Sequence, residues 1–241
     1  MNIYFDTNIG LSRLENQDRV KTYSFDNDVN FAVICDGMGG ENAGSEASQK
    51  AIEIIYDRIT KVYKSSYDSN MTKNLFLSAI KTANAVIYDI AMSSSSMHGM
   101  GTTCVAVLRN ESQLYVVSVG DSRAYLVDDG KIHQITKDHT VVMKMYENGE
   151  ITKEELRNHP QRNYITKAVG VTDTLEPDFF ELIVSEKAVV IICSDGLSGC
   201  CEDEDILDIV TRSDTDKIAS NLVNLALKNG GNDNVTVAVI N

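Results

Sequence analysis

The chain is 241 residues long, 43% apolar and 24% charged, so it can bury a sizeable core, and global disorder is excluded. It carries 35 acidic against 22 basic residues, a formal net charge of −13. A field of that sign repels nucleic acid and anionic membrane, attracts cations and favours solubility.

In chain order, the first strong element is "FAVIC" at 31–35, a buried strand running into "DGMGG". Two long helices follow. Ile52, Ile55, Ile59 and Val62 recur at helical spacing, as do Phe76, Ile80, Ala83, Ile87 and Ile90 behind a cap expected at Asn70. "SSSSMHG" ends the pair. Strands come next: "TTCVAVLRN" and "SQLYVVSVG" across a polar turn, then "SRAYLV" and "KIHQI" across the hairpin signal "DDG". "KAVVIICS" and "NVTVAVI" are the last strands. Between them one helical stretch, with Ile218, Leu222 and Leu225 on one face, stops at "NGG". Strand and helix do not alternate regularly, which predicts an α+β layered domain of mostly antiparallel sheets with helices packed outside.

No linker or solenoid repeat divides the chain, so 1–241 reads as one domain. No apolar run approaches the 18 residues of a membrane helix, and "MNIYFDTNIG" has neither the basic start nor the apolar centre of a secretion signal. Cys35, Cys104 and Cys193 sit in apolar runs, Cys200 and Cys201 are adjacent, and no CxxC occurs. That is the pattern of buried thiols, not of a disulfide framework or a zinc-thiolate site. The expectation is a cytoplasmic monomer with no nucleic-acid or membrane partner.

The chemistry lies in aspartates at strand ends. "FAVIC" ends in Asp36-Gly37, "VVSVG" in Asp121-Ser122 and "VVIICS" in Asp195-Gly196; Asp233 precedes the last strand and Asp18 another short β-like run. One Asp-Gly alone is turn chemistry. Several aspartates on one rim of a sandwich would converge, and converged carboxylates stay ionised only beside cations. Oxygen ligands select Mg²⁺, Mn²⁺ or Ca²⁺, the spacing excludes an EF-hand, and glycine at 37 would let a backbone carbonyl approach an ion. Two ions sharing one carboxylate can clamp a phosphoryl group and activate a bridging water.

The motifs "SRLENQD", "CDGMGG" followed by "AGSEAS", "GTTCVAV", "VGDSRAYL", "ITKDHT", "GEITKEELRNHPQRNYITKAVG", "CSDGLSG" and "DNVTVAV" occur in that order, nearly end to end. In this the chain resembles the metal-dependent Ser/Thr protein phosphatases of type 2C, in their compact bacterial form. The resemblance implies a four-layer α-β-β-α sandwich, two central antiparallel sheets flanked by helix pairs. It implies hydrolysis of phosphoserine and phosphothreonine in proteins by a water or hydroxide activated at a dinuclear Mg²⁺ or Mn²⁺ centre. Asp36 would bridge two ions and Gly37 would offer its carbonyl. Asp195 and Asp233 would complete the first ion's shell, Asp18 would hold the second through water, and Asp121 with Asp195 would carry a weaker third. Arg13 would grip the substrate phosphate, a role that suits a planar fork of donors.

The partners implied are phosphorylated proteins, namely the substrates of a bacterial Ser/Thr kinase and the kinase itself; a phosphorylated anti-anti-sigma-like regulator is the alternative substrate. Residues 140–162 would form a substrate-gating flap, with Thr152 and Glu155 as a capping box. His139 and His159 read as structural, and Met143 and Met145 as packing residues. Two departures stand out. Met38 replaces a histidine that donates a proton in eukaryotic relatives, and Gln17 stands where many relatives carry glutamate. If these cost the chain its turnover, it would be a metal-sensing or phosphoprotein-binding module instead.

Overall fold

In the computed structural model, which describes residues 1–26, 28–40 and 43–241, successive strand residues send their side chains to two different layers. One sheet has the order β1 (Ile3–Asn8), β11 (Val235–Ile240), β10 (Val189–Cys193), β7 (Arg123–Asp128), β8 (Lys131–Gln134). The other runs β2 (Asp18–Phe25), β3 (Val29–Met38), β5 (Cys104–Arg109), β6 (Gln113–Val119), β9 (Asp178–Ile183), and the short β4 (Gly101–Thr102) pairs with the end of β3. All these pairings are antiparallel.

Between the sheets lie Ala32, Ile34, Val105, Val107, Val190, Ile192, Ala238 and Ile240. The alternate residues face helices. Phe31, Val33 and Cys35 pack on α1 (Ala43–Val62) and α2 (Ser69–Ser93), and Ile191, Cys193 and Val237 on α6 (Asp203–Arg212) and α7 (Ile218–Lys228). The four-layer α-β-β-α sandwich is therefore the observed fold. Each strand pair of this kind is buried on both faces, which explains apolar runs with little polar alternation.

Three details depart from the sequence reading. The cap of α2 is Asp68, whose side chain accepts from Met71 N at 2.8 Å; Asn70 lies inside the first turn. Strands β1 and β9 and helix α6 are additional elements. By length and composition α2 could also cross a membrane, against the expectation of no such run. Its apolar residues Leu75, Phe76, Ala79, Ile80, Ala83 and Ile87 are buried in the layer between sheet and α1, which accounts for them as core.

At the end of β5, Arg109 is fully buried. Its Nη1 donates to the carbonyls of Ala188 (2.5 Å) and Ile240 (3.1 Å), and its Nη2 to those of Ser185 (3.1 Å) and Glu186 (3.3 Å). A guanidinium from one sheet thus closes the other sheet's β10–β11 end.

Candidate active site

Asp36 is the next residue after Ala32 and Ile34 on the side of β3 that faces the opposite sheet, and it stands opposite Asp18 in the β2–β3 register. Its backbone is held on both sides. Asp36 N donates to Thr103 Oγ1 (3.0 Å), and Asp36 O accepts from Thr103 N and from Thr102 Oγ1, each at 2.8 Å. Asp18 is buried, and its Oδ2 accepts from Ser194 Oγ at 2.7 Å. Ser194 Oγ in turn accepts from Thr236 N at 3.0 Å. Neighbouring strand ends thus fix the Asp36 backbone and the Asp18 carboxylate.

Asp195 opens the short helix α5 (Asp195–Ser198) directly after β10, Asp121 follows β6, and Asp233 precedes β11. The rim therefore gathers all five aspartates singled out by the sequence, and neighbouring acids raise the carboxyls of Asp18, Asp36, Asp121 and Asp195. Burial, then Asp18, Asp195, Asp121 and Asp233, push the Asp36 carboxyl well above the usual range. Asp195 is pushed well up by burial, Asp121, Asp233 and Asp18. Burial, then Asp138, raise Asp121 to about 6.

The site fits divalent cations. Asp18 Oδ1, Asp121 Oδ1 and Asp195 Oδ1 are buried oxygens with no hydrogen-bond partner, an expensive state that a cation would relieve. Among the described residues, no three acidic, histidine or cysteine side chains close into a ready-made cage. Carboxylates spread around a rim suit hard ions that keep water in their shells, as Mg²⁺ does.

Gly37 has a second reason to be glycine. A Cβ there would lie 2.1 Å from Gly44 O, so its absence lets the start of α1 rest on β3. Gly39 and Gly40 have φ of 117° and 93°, as the turn toward α1 requires.

Arg13 lies on the loop between β1 and β2, and its Nη2 donates to Asp233 Oδ2 at 2.7 Å. The residue that positions this loop is Asn234, which the sequence reading did not single out. Its Oδ1 accepts from Gln17 N (2.8 Å), and its Nδ2 donates to Ile9 O (2.8 Å) and Glu15 O (2.9 Å). An open cleft of about 780 Å³ results, lined by Arg13, Asp36, Gly37, Met38, Asp195 and Asp233 on the rim, with Asn163 and Ile165 across from them. Asp18 and Asp121 lie outside that lining; Asp121 and Asp195 border a smaller cavity of about 110 Å³ under the flap.

The segment 140–162 carries two helices where the sequence suggested one. These are α3 (Val141–Glu147), capped by Thr140, and α4 (Lys153–Asn158). The expected capping box is present, with Thr152 N donating to Glu155 Oε2 at 2.7 Å. Met143 faces the smaller cavity. His139 is structural: its Nδ1 accepts from Gly120 N at 3.0 Å, and its Nε2 lies 3.1 Å from Asp178 Oδ2. His159 Nδ1 accepts from Gln161 N at 3.2 Å within its own turn. Gln17 Nε2 donates to Gly40 O at 3.2 Å.

A sandwich with a carboxylate rim beside an arginine is the architecture of a metal-dependent phosphohydrolase. The family model for Protein phosphatase 2C matches residues 12–236. The chain is 33% identical over 243 residues to Protein phosphatase PhpP of Streptococcus pneumoniae, covering 100% of this chain and 97% of that one. It is similar to the crystal structure of Serine/threonine phosphatase Stp1 from Staphylococcus aureus, at 34% identity and a TM-score of 0.91 over 98% of this chain and 93% of that one. It is also similar to the catalytic domain of the serine threonine protein phosphatase PstP in complex with 2 manganese ions, at 32% identity and a TM-score of 0.86 over 99% and 96%. The chain belongs to the type 2C family of protein serine/threonine phosphatases.

Proposed function

We propose that the rim of this phosphatase holds two Mg²⁺ or Mn²⁺ ions, with Asp36 shared between them. Asp195, Asp233 and the Gly37 carbonyl serve one ion, and Asp18 serves the other. Asp121 with Asp195 offers a weaker third position. The observation that carries this is the convergence of five aspartates with orphaned buried oxygens beside Arg13. The manganese ions of the similar PstP catalytic domain support it. Such a centre, when loaded, supplies Lewis-acid activation of water and neutralises phosphoryl oxygens.

The chain's own contribution is positioning. Arg13 presents its guanidinium over the cleft, where the outer edge of the fork can take phosphate oxygens while Asp233 fixes the inner edge. Thr102 and Thr103 hold Asp36 against movement. Met38 lines the cleft and cannot protonate a leaving group. The substrates are phosphoserine and phosphothreonine proteins, and the enzyme opposes a Ser/Thr kinase in the cytoplasm. Residues 140–162, which border the smaller cavity beside Asp121 and Asp195, gate access to the rim.

The test is hydrolysis of p-nitrophenyl phosphate and a phosphothreonine peptide with and without Mn²⁺. Turnover should require the ion and vanish in Asp36→Asn and Asp195→Asn. Equal rates after chelation would refute the metal assignment. Phosphoproteomes with and without the protein separate kinase products from an anti-anti-sigma-like target.

A further inference from the structure

Two adjacent thiols lie outside the reaction just described. Cys200 and Cys201 follow α5, and the amides of both donate to Leu197 O (3.2 and 3.0 Å), so one tight turn holds them. Their sulfurs are 3.9 Å apart and unbonded. Cys200 is half-buried and Cys201 lies beneath it. Asn229 Nδ2 donates to Cys200 O (3.0 Å) and lies 3.7 Å from Cys201 Sγ. Cys200 is held below the usual thiol range by Cys201 and the charge of Arg157. The same Arg157, from flap helix α4, donates to Cys201 O at 2.9 Å and pairs with Glu202 Oε1 at 2.6 Å.

We propose that Cys200 and Cys201 form a bidentate dithiol site for a thiophilic trivalent arsenical, and that its occupation unseats flap helix α4. Two sulfurs on one turn, at this separation, can close on a single arsenic atom; a lone thiol cannot. The half-exposed Cys200 sulfur reacts first and Cys201 closes the ring. Two As–S bonds form, the As=O bond breaks, and the two thiol protons leave with that oxygen as water, with no change of oxidation state. Closing the ring draws Cys201 toward Cys200 and moves the carbonyl that Arg157 holds. The chemistry does not depend on where the ions of the active centre sit.

The experiment uses the folded, Mn²⁺-loaded enzyme and phenylarsine oxide. Intact mass should rise by one arsenical less one water. The adduct should survive excess 2-mercaptoethanol and be removed by 2,3-dimercaptopropanol. Cys200→Ser and Cys201→Ser, each checked for native circular dichroism, should both lose the monothiol-resistant adduct, whereas Cys35→Ser keeps it. Amide exchange over 153–158 should quicken in the adduct. Failure of the folded enzyme to take up the arsenical, or the same resistant adduct in both Cys200→Ser and Cys201→Ser, would overturn the site. Unchanged exchange over 153–158 would overturn its link to the flap.

Discussion

Asn234 satisfies three backbone groups of the loop that carries Arg13, and no other side chain described here does as much for that loop. Asn234→Ala would leave buried donors and acceptors unpaired, at about 1–3 kcal/mol for each that water cannot reach. Because the loop holds Arg13 over the cleft, the expected kinetic signature is a raised KM for a phosphopeptide with a smaller change in kcat. Arg13→Ala should cost about 10–100-fold in kcat/KM, the worth of a charge-assisted hydrogen bond; steady-state kinetics separates the two.

At Asp121 the sign of the pH effect follows from its raised carboxyl. Its value of about 6 lies above the ordinary 3.8. Across that window the folded, metal-free protein holds a proton that the unfolded chain has lost, so this contribution to stability falls as pH rises through about 6. Asp121→Asn should flatten that decline and raise the Tm of the metal-free protein at pH 7, by about 2–4 °C per kcal/mol of relieved repulsion. Calorimetry between pH 5 and 8, with chelator, reads it. Absence of any change in slope would contradict the burial argument.

Among the elements, the β3–α1 contact is a close constraint on the site. The start of α1 rests against β3 where Gly37 lacks a Cβ, and Gly44 lacks one in return, with Gln17 Oε1 2.5 Å from where it would be. Gly37→Ala should push the helix from the strand and cost about 1–3 kcal/mol, the usual range for overpacking. Urea unfolding measures the loss, and Mn²⁺ titration of the same variant should show weakened binding.

How far these elements could be read from the chain depended on burial. β3, β5 and β10 are buried on both faces and stood out as apolar runs. β1 and β9 lie at sheet edges, half-exposed, with polar residues among the apolar ones. α6 buries only Ile206 and Val210, too short a stripe to reveal a helix by period. The aspartates were legible because each lies at the start or the end of a recognisable strand. Asn234 was not, because its role is to bond backbone atoms of a loop more than 200 residues earlier in the sequence.

For the molecule as a whole, the two sheets are joined by apolar packing along their length and by Arg109 at one end. In β3, Asn30 pairs with Arg109 while Asp36 stands at the other end, six residues away and so about 20 Å along the strand. Arg109→Met should leave buried carbonyls short of donors, each costing about 1–3 kcal/mol, and lower the Tm accordingly; thermal unfolding at fixed Mn²⁺ tests this.

The sandwich thereby works like a clothes-peg. Its stitched end is a fulcrum, and the carboxylates push between its jaws. With that end tied, relief of the repulsion between the carboxylates would be expected at the jaws, where the loops around residues 9–17 and 231–234 border the open cleft.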